Sequence, residues 1–211
     1  MWTNWGGYEV SDIRTVTMLL ALRCISVSVC YKDGATDPIK LSSRQQLMAI
    51  KHVPSIIEMT SYTFYHSQST VAVMFEFKDF QRFIEMRGEY ESIPSTLLPS
   101  LKLYCGGLIA AVINLAGERF YDMEIGYKSE FGTWSTLYQV YYIWIVFFVK
   151  RNFYYTPFLW NQASIVASGF GYNGLESGQE KWDKVVGTYI WDVETCTNLT
   201  EFSNKWNWQV A

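Results

Sequence analysis

A Trp-Asn-Trp sequence near the end of the chain, Trp206 to Trp208, contains the residue that is best suited to chemistry. An asparagine buried between aromatic side chains must satisfy its amide donors and its acceptor, or cost about 1–3 kcal/mol. In one interpretation Asn207 is structural and hydrogen-bonds a neighbouring helix. In the other, Asn207 is catalytic and its amide points at a developing negative charge or a substrate carbonyl. The residue types alone leave both interpretations open.

Arg23 is the second candidate, because it lies near the middle of an apolar stretch from Thr15 to Tyr31. An arginine at the centre of a bilayer costs about 2.5–3.5 kcal/mol on insertion scales, so we expect its side chain to face the protein interior or an aqueous cavity. There it either contacts an anionic group of a substrate or pairs with a buried carboxylate such as Glu58.

Gly169 to Gly174, "GFGYNG", matches the G-x-G-x-x-G pattern of dinucleotide-binding folds. These glycines follow a long uncharged segment and not a short strand, so the context favours a loop that caps a helix. The histidines, His52 and His66, have no nucleophile elbow near them and are predicted to be structural or exposed. The four cysteines have no zinc-ligand spacing and are predicted to be free thiols, so we expect no metal site.

The elements that must position these residues look like membrane helices. Aromatic residues make up 18% of the chain and the charges are bunched, while a net charge of -3 gives no basic excess for nucleic acid. Phe131 to Val149 is uncharged, and after Lys150-Arg151 a second uncharged run begins at Asn152. We interpret both runs as one long, tilted helix kinked near Pro157, because a two-residue break is too short for a helical hairpin.

Three further segments complete the prediction of an all-α, polytopic membrane protein. Leu101 to Leu115 is apolar, and its small residues would let another helix approach closely. Val53 to Phe75 is mixed in character and is predicted to be buried among helices or re-entrant. Phe75 to Met86 is amphipathic, with Phe77, Phe80, Phe83 and Ile84 on one face. It is predicted to be an interfacial helix in the headgroup region, with an ordinary surface helix as the alternative.

Several short motifs run in order over almost the whole chain: "YKDG" at Tyr31–Gly34, "LSSRQQLMAIKHVPSIIE" at Leu41–Glu58, "FEFKDF" at Phe75–Phe80, "GFGYNG" with "KWD" at Lys181–Asp183, "VET" at Val193–Thr195 and "KWN" at Lys205–Asn207. Together these motifs resemble the membrane-bound O-acyltransferase family, and in particular the lysophospholipid acyltransferases that form phosphatidylcholine and its relatives.

The resemblance implies a multi-pass protein of the endoplasmic reticulum membrane. Such a protein moves an acyl chain from acyl-CoA, its co-substrate, to a lysophospholipid hydroxyl, with no bound cofactor, metal or nucleic acid. Asn207 matches the catalytic asparagine of the family. Tyr172, Asn173 and Trp182 match motif positions near the last membrane helix and are candidate substrate contacts, as is Arg23. Loop packing is the alternative role for the first three.

Two departures from the family pattern bear on activity. The family has a catalytic histidine beyond the asparagine, but only four residues follow Asn207. Ala72-Val73 also stands where relatives usually have Gly-Pro. We therefore expect residues 1–211 to be a partial domain that lacks N-terminal helices and the helices bearing the histidine, and to be inactive alone. The alternatives are a non-catalytic protein that binds lipid or acyl-CoA and, less favoured, a channel around Arg23.

Overall fold

The computed structural model describes residues 13–65 and 74–206. The chain divides into two compact units, residues 1–91 and 92–211. The described residues are mostly helical, as predicted, and their α-helices are α1 Ile13–Gly34, α2 Ser43–Met48, α3 Ile56–Thr63, α4 Phe77–Ile84, α5 Leu97–Phe120, α6 Thr136–Ala167, α7 Ile190–Glu194 and α8 Leu199–Trp206. The all-α prediction missed a minimal antiparallel hairpin of β1 Leu175–Glu176 and β2 Gln179–Glu180.

In the first unit, helix α1 ends at Gly34 because the chain returns against it there. A Cβ atom on Gly34 would lie within bonding range of the Ile50 carbonyl, so only glycine fits. The Ile50 amide donates to the carbonyl of Cys30 over 2.9 Å, which fixes this return. The contact joins α1 to the segment that follows α2.

An aromatic cluster around Tyr62 of α3 forms the core of the first unit. The Tyr62 ring lies 5.4 Å from that of Phe77 and 5.8 Å from that of Phe80, and its hydroxyl donates to the carbonyl of Phe75. The helix predicted for Phe75 to Met86 is confirmed as the shorter α4, but the predicted apolar face is only partly right. Phe77 and Phe80 are buried in protein, whereas Ile84 is 60% exposed.

The expectation that Val53 to Phe75 is buried or re-entrant is only partly right for its described part, in which Tyr62 and Phe75 are buried. Helix α3 has eight residues, and it exposes Ile56 and Ile57. Its start is fixed by a capping box in which Ser55 and Glu58 satisfy each other's backbone amides. Residues 66–73, which include His66 and the Ala72-Val73 pair, lie outside the described residues.

In the second unit, α5 and α6 pack side by side in opposite directions. Close approach is possible because glycines face large side chains: a Cβ on Gly107 would lie 2.4 Å from Trp160, and one on Gly117 would lie 2.4 Å from Val149. The small-residue contact predicted for Leu101 to Leu115 is thus confirmed. The Asn114 amide also donates to the Val149 carbonyl over 3.3 Å.

Helix α6 is continuous for 32 residues through Pro157, which confirms one helix over two. At 1.5 Å per residue it is about 48 Å long, against about 36 Å for the 24 residues of α5. Thr96 before α5 donates to the carbonyl of Ala167 at the end of α6. The surplus length of α6 therefore extends beyond the other end of α5.

Only α5, among the described residues, is long and apolar enough to cross a membrane. Most of its apolar side chains are exposed, for example Leu101, Ile109 and Leu115. The spans predicted in α1 and α6 stay predictions. Both helices carry charge within the apolar stretch, at Arg23 in α1 and at Lys150 and Arg151 in α6.

Candidate functional site

The glycine loop that follows α6 brings the predicted substrate residues together. Gly169 and Gly174 have positive φ angles of 92° and 81°. Glycine adopts such angles much more readily than other residues do, because it has no Cβ atom. The Gly171 amide donates to the carbonyl of Ile165, so the loop folds back over the last turn of α6. This confirms the helix-capping interpretation of "GFGYNG".

Tyr172, Asn173 and Trp182 lie together at the base of the β1–β2 hairpin. The Tyr172 and Trp182 rings are 5.2 Å apart, and the Asn173 amide donates to the Asp183 carboxylate over 2.9 Å. Tyr172 is buried, whereas Trp182 is half-buried. The indole of Trp182 also donates to the carboxylate of Glu180 over 3.2 Å.

A cavity of about 580 Å³ lies beside Trp182, between the start of α5 and the last part of α6. This volume lies in the usual range for small-molecule sites. Its polar lining consists of Ser95, Lys102, Gln162 and Glu180, and its apolar lining of Leu98, Pro99, Leu103 and Trp182. The positive charge of Lys102, the negative charge of Glu180 and the indole of Trp182 therefore line the same cavity.

A second polar group, the Glu194 cluster, joins α7 to the middle of α6. The Glu194 carboxylate accepts two hydrogen bonds from Arg151, over 2.7 and 2.8 Å, and one from the Tyr155 hydroxyl over 2.7 Å. Burial raises the pKa of Glu194, but the hydrogen bonds from Arg151 and Tyr155 outweigh that effect and lower its pKa below the ordinary value. Glu194 is therefore ionised at neutral pH.

Helix α8 leads directly to the predicted catalytic asparagine. Asn198 accepts a hydrogen bond from the Glu201 amide over 2.8 Å at the start of the helix. At its end, Trp206 stacks on Phe202 and contacts Phe158 of α6, both with ring centroids 5.8 Å away. Asn207 itself lies outside the described residues.

Arg23 belongs to the first unit. It is 2% exposed, and its guanidinium donates to the Thr63 carbonyl over 2.5 Å. The alternative that Arg23 pairs with Glu58 is wrong, because Glu58 is exposed and caps its own helix at Ser55. His52 is exposed, as predicted.

Sequence reasoning missed the Glu194 cluster and most of the cavity lining. Glu194 lies in the "VET" motif, and Arg151 interrupts a long uncharged run, so both residues carried a signal. Their pairing was not readable, because 43 residues separate them. Among the described residues, no group of acidic, histidine and cysteine side chains is arranged to hold a metal ion.

Comparison with known proteins finds one matching family and several relatives within it. The sequence model of the membrane-bound O-acyltransferase family matches residues 2–211. The "Lysophospholipid acyltransferase" of Saccharomyces cerevisiae is 27% identical over 93% of this chain and 36% of that protein. "Lysophospholipid acyltransferase 5" of Homo sapiens is 28% identical over 94% of this chain and 41% of that protein. The chain thus spans about two fifths of the length of these relatives.

Proposed function

This chain belongs to the membrane-bound O-acyltransferase family, and from that premise we propose that the whole protein is a lysophospholipid O-acyltransferase. Its reaction would move an acyl chain from acyl-CoA to a free hydroxyl of a lysophospholipid. The observation that carries the proposal is the match along residues 2–211, shared with relatives named as lysophospholipid acyltransferases. Residues 1–211 would then be part of a larger acyltransferase domain.

Acyl transfer requires the site to accept a proton and to stabilise negative charge. The lysophospholipid oxygen attacks the thioester carbonyl carbon, its proton passes to a base, and the carbon–sulfur bond breaks to release CoA as its thiol. Negative charge develops on the carbonyl oxygen during this attack, and we assign the Asn207 amide to stabilise it. The base would be the histidine that the family pattern places beyond Asn207.

We assign Tyr172, Asn173 and Trp182 to the lysophospholipid. Trp182 and Glu180 suit a quaternary or primary ammonium, since an indole face and a carboxylate both attract a cation. Lys102, on the same cavity, suits the phosphate. The leucines beside it suit the glycerol and the start of an acyl chain. The contact of Arg23 with an anionic substrate group stays a prediction.

We further propose a multi-pass arrangement in the endoplasmic reticulum membrane. Helix α5 has the length and composition of a span, and α6 packs along it. The mostly exposed apolar side chains of α5 fit contact with lipid or with other helices of the domain.

The decisive experiment expresses the whole natural protein in microsomes and measures transfer from labelled acyl-CoA to lysophosphatidylcholine. Asn207→Ala is expected to lower the rate by about 100- to 1000-fold, as for other lost oxyanion donors. Asn204→Ala, an exposed asparagine of the same helix α8, is the matched control and should leave the rate unchanged. Lysophospholipid binding without any transfer by the whole protein would instead establish the non-catalytic alternative.

A further inference from the structure

Gln162 of α6 is a buried polar residue whose side chain has no hydrogen-bonding partner among residues 13–65 and 74–206. It is 9% exposed and lines the cavity beside Trp182. The amide is not among the polar atoms of this described part that protein fully encloses without a partner, so it is open to the cavity. A buried polar group without a partner is costly, and the cavity must therefore supply one.

We propose that Gln162 donates a hydrogen bond to the ester carbonyl of a lysophospholipid bound in this cavity, and thereby selects acyl-linked over ether-linked lysophospholipids. The inference rests on the proposed function. A carboxamide offers two N–H donors and one acceptor oxygen. A carbonyl oxygen only accepts, so the Nε2 group of Gln162 is the donor in this pair.

The exposure of the lining residues indicates which part of the substrate meets Gln162. The two charged residues, Lys102 and Glu180, are exposed, whereas Gln162 is buried. The charged phosphate and ammonium suit the exposed pair, because a charge is costly to bury. Gln162 shares the cavity with Leu103, which is partly buried. A neutral donor beside apolar side chains suits a neutral polar group joined to a hydrocarbon chain, which in a lysophospholipid is the ester.

The free hydroxyl of the substrate is a poor partner for Gln162, because it is the reacting group. It gives its proton to a base while its oxygen forms the new bond to the acyl carbon. An amide oxygen that accepted this proton in a hydrogen bond would compete with the base. A bond from the Gln162 amide to the ester carbonyl leaves the hydroxyl free to react.

The test compares two substrates that share the phosphocholine headgroup. One is 1-acyl-lysophosphatidylcholine, and the other is 1-O-alkyl-lysophosphatidylcholine, which has an ether and therefore no carbonyl at the same place. In microsomes holding the whole protein, Gln162→Met keeps the length of the side chain and removes the amide. It should raise KM for the acyl substrate about 3- to 10-fold, the value of one hydrogen bond, and change KM for the alkyl substrate less than about twofold. An equal change for both substrates would overturn the proposal.

Glu180→Gln is the matched control. Glu180 lines the same cavity, but the proposed function assigns it to the ammonium group, which both substrates carry. This variant should raise both KM values by the same factor and leave their ratio within about twofold of the wild type. A ratio that changes as much in Glu180→Gln as in Gln162→Met would show that the amide does not select the ester.

Binding without acyl-CoA separates recognition from catalysis. The two lysophospholipids, radiolabelled, are bound to the whole protein in nanodiscs, with empty nanodiscs as background. Gln162→Met should weaken binding of the acyl ligand and not of the alkyl ligand. This result in a protein that shows no acyl transfer would uphold the recognition role while the proposed function fails. Equal binding of the acyl ligand by wild type and variant would exclude the role.

Thermal unfolding of the ligand-free protein separates recognition from a structural role. Gln162→Met should keep or raise the thermal midpoint, because it removes a buried amide that has no partner in the described part of the chain. A lower midpoint would mean that Gln162 bonds another helix of the whole protein, and the proposal would fail.

Discussion

Gly107 sets how closely α5 and α6 approach each other. The Trp160 indole lies over it, stacks on Tyr104 with ring centroids 5.9 Å apart and donates to the Tyr104 carbonyl over 3.2 Å. A Cβ on Gly107 would lie 2.4 Å from Trp160 Cδ1, which is too short for any real contact. The indole would have to leave both the ring stack and the hydrogen bond.

We therefore predict that Gly107→Ala destabilises the whole protein by about 1–3 kcal/mol, as overpacking does. Gly106→Ala is the matched control, because a Cβ there meets only Leu159 at an ordinary 3.5 Å. That variant should be neutral or stabilising by up to about 1 kcal/mol, since alanine favours a helix over glycine. Thermal unfolding in detergent measures both. A lower midpoint for Gly106→Ala than for Gly107→Ala would contradict the packing argument.

The role of an individual residue was predictable where its residue type alone limits the structures that it can adopt. The glycines of "GFGYNG" and the small residues of α5 were interpreted correctly, because glycine has few other roles at such positions. The partner of Arg23 was not predictable. Glu58 looked available in the sequence, but Ser55 lies three residues before it and forms a local capping box.

At the scale of one element, helix α8 depends on the ionised form of Glu201. Its carboxylate accepts from Lys205 over 2.7 Å, and from the amide and hydroxyl of Thr197 over 3.0 and 3.1 Å. The bond from Lys205 and then those from Thr197 lower the pKa of Glu201 to about 2. The carboxylate thus ties the start of α8 to its last turn.

This lowered pKa predicts a specific pH dependence. A carboxylate whose pKa is lower in the folded state stabilises the fold above its unfolded pKa of about 4.3, and this contribution is lost as the pH falls towards about 2. Glu201→Gln should therefore lower the thermal midpoint at pH 7, and its difference from the wild type should vanish between about pH 4.3 and 2. In a Lys205→Met background the difference at pH 7 should be smaller. A difference that persists unchanged at pH 2 would exclude this role.

Long elements were predictable and short ones were not. The charge-free runs predicted α6 as one helix, because a long helix leaves a clear pattern of apolar composition in the sequence. The strands β1 and β2 have two residues each, and the helices α7 and α8 have five and eight. Their geometry comes from the Glu194 cluster, the glycine turns and the Trp206 contacts, which join residues distant in sequence. The cavity beside Trp182 could not be predicted either, because its lining residues are also distant in sequence.

In the second unit, α5 and α6 form an antiparallel pair with two opposite ends. Ser92 precedes α5 at the end that also holds the glycine loop, since Thr96 bonds to the carbonyl of Ala167. Ser129 lies in the connection between α5 and α6, at the opposite end. If α5 crosses the bilayer, about 36 Å of helix separates these two serines, which exceeds the hydrocarbon thickness of about 30 Å.

We predict that Ser92 and Ser129 face opposite sides of the membrane. Both are exposed, so Ser92→Cys and Ser129→Cys form a matched pair of conservative probes. In sealed microsomes holding the whole protein, a membrane-impermeant maleimide should label one of them at once and the other only after permeabilisation. Peptide mass spectrometry separates each site from the native cysteines, four of which lie in residues 1–211. Immediate labelling of both would mean that α5 lies on the membrane or inside the protein, because a spanning helix cannot present both of its ends to the same compartment.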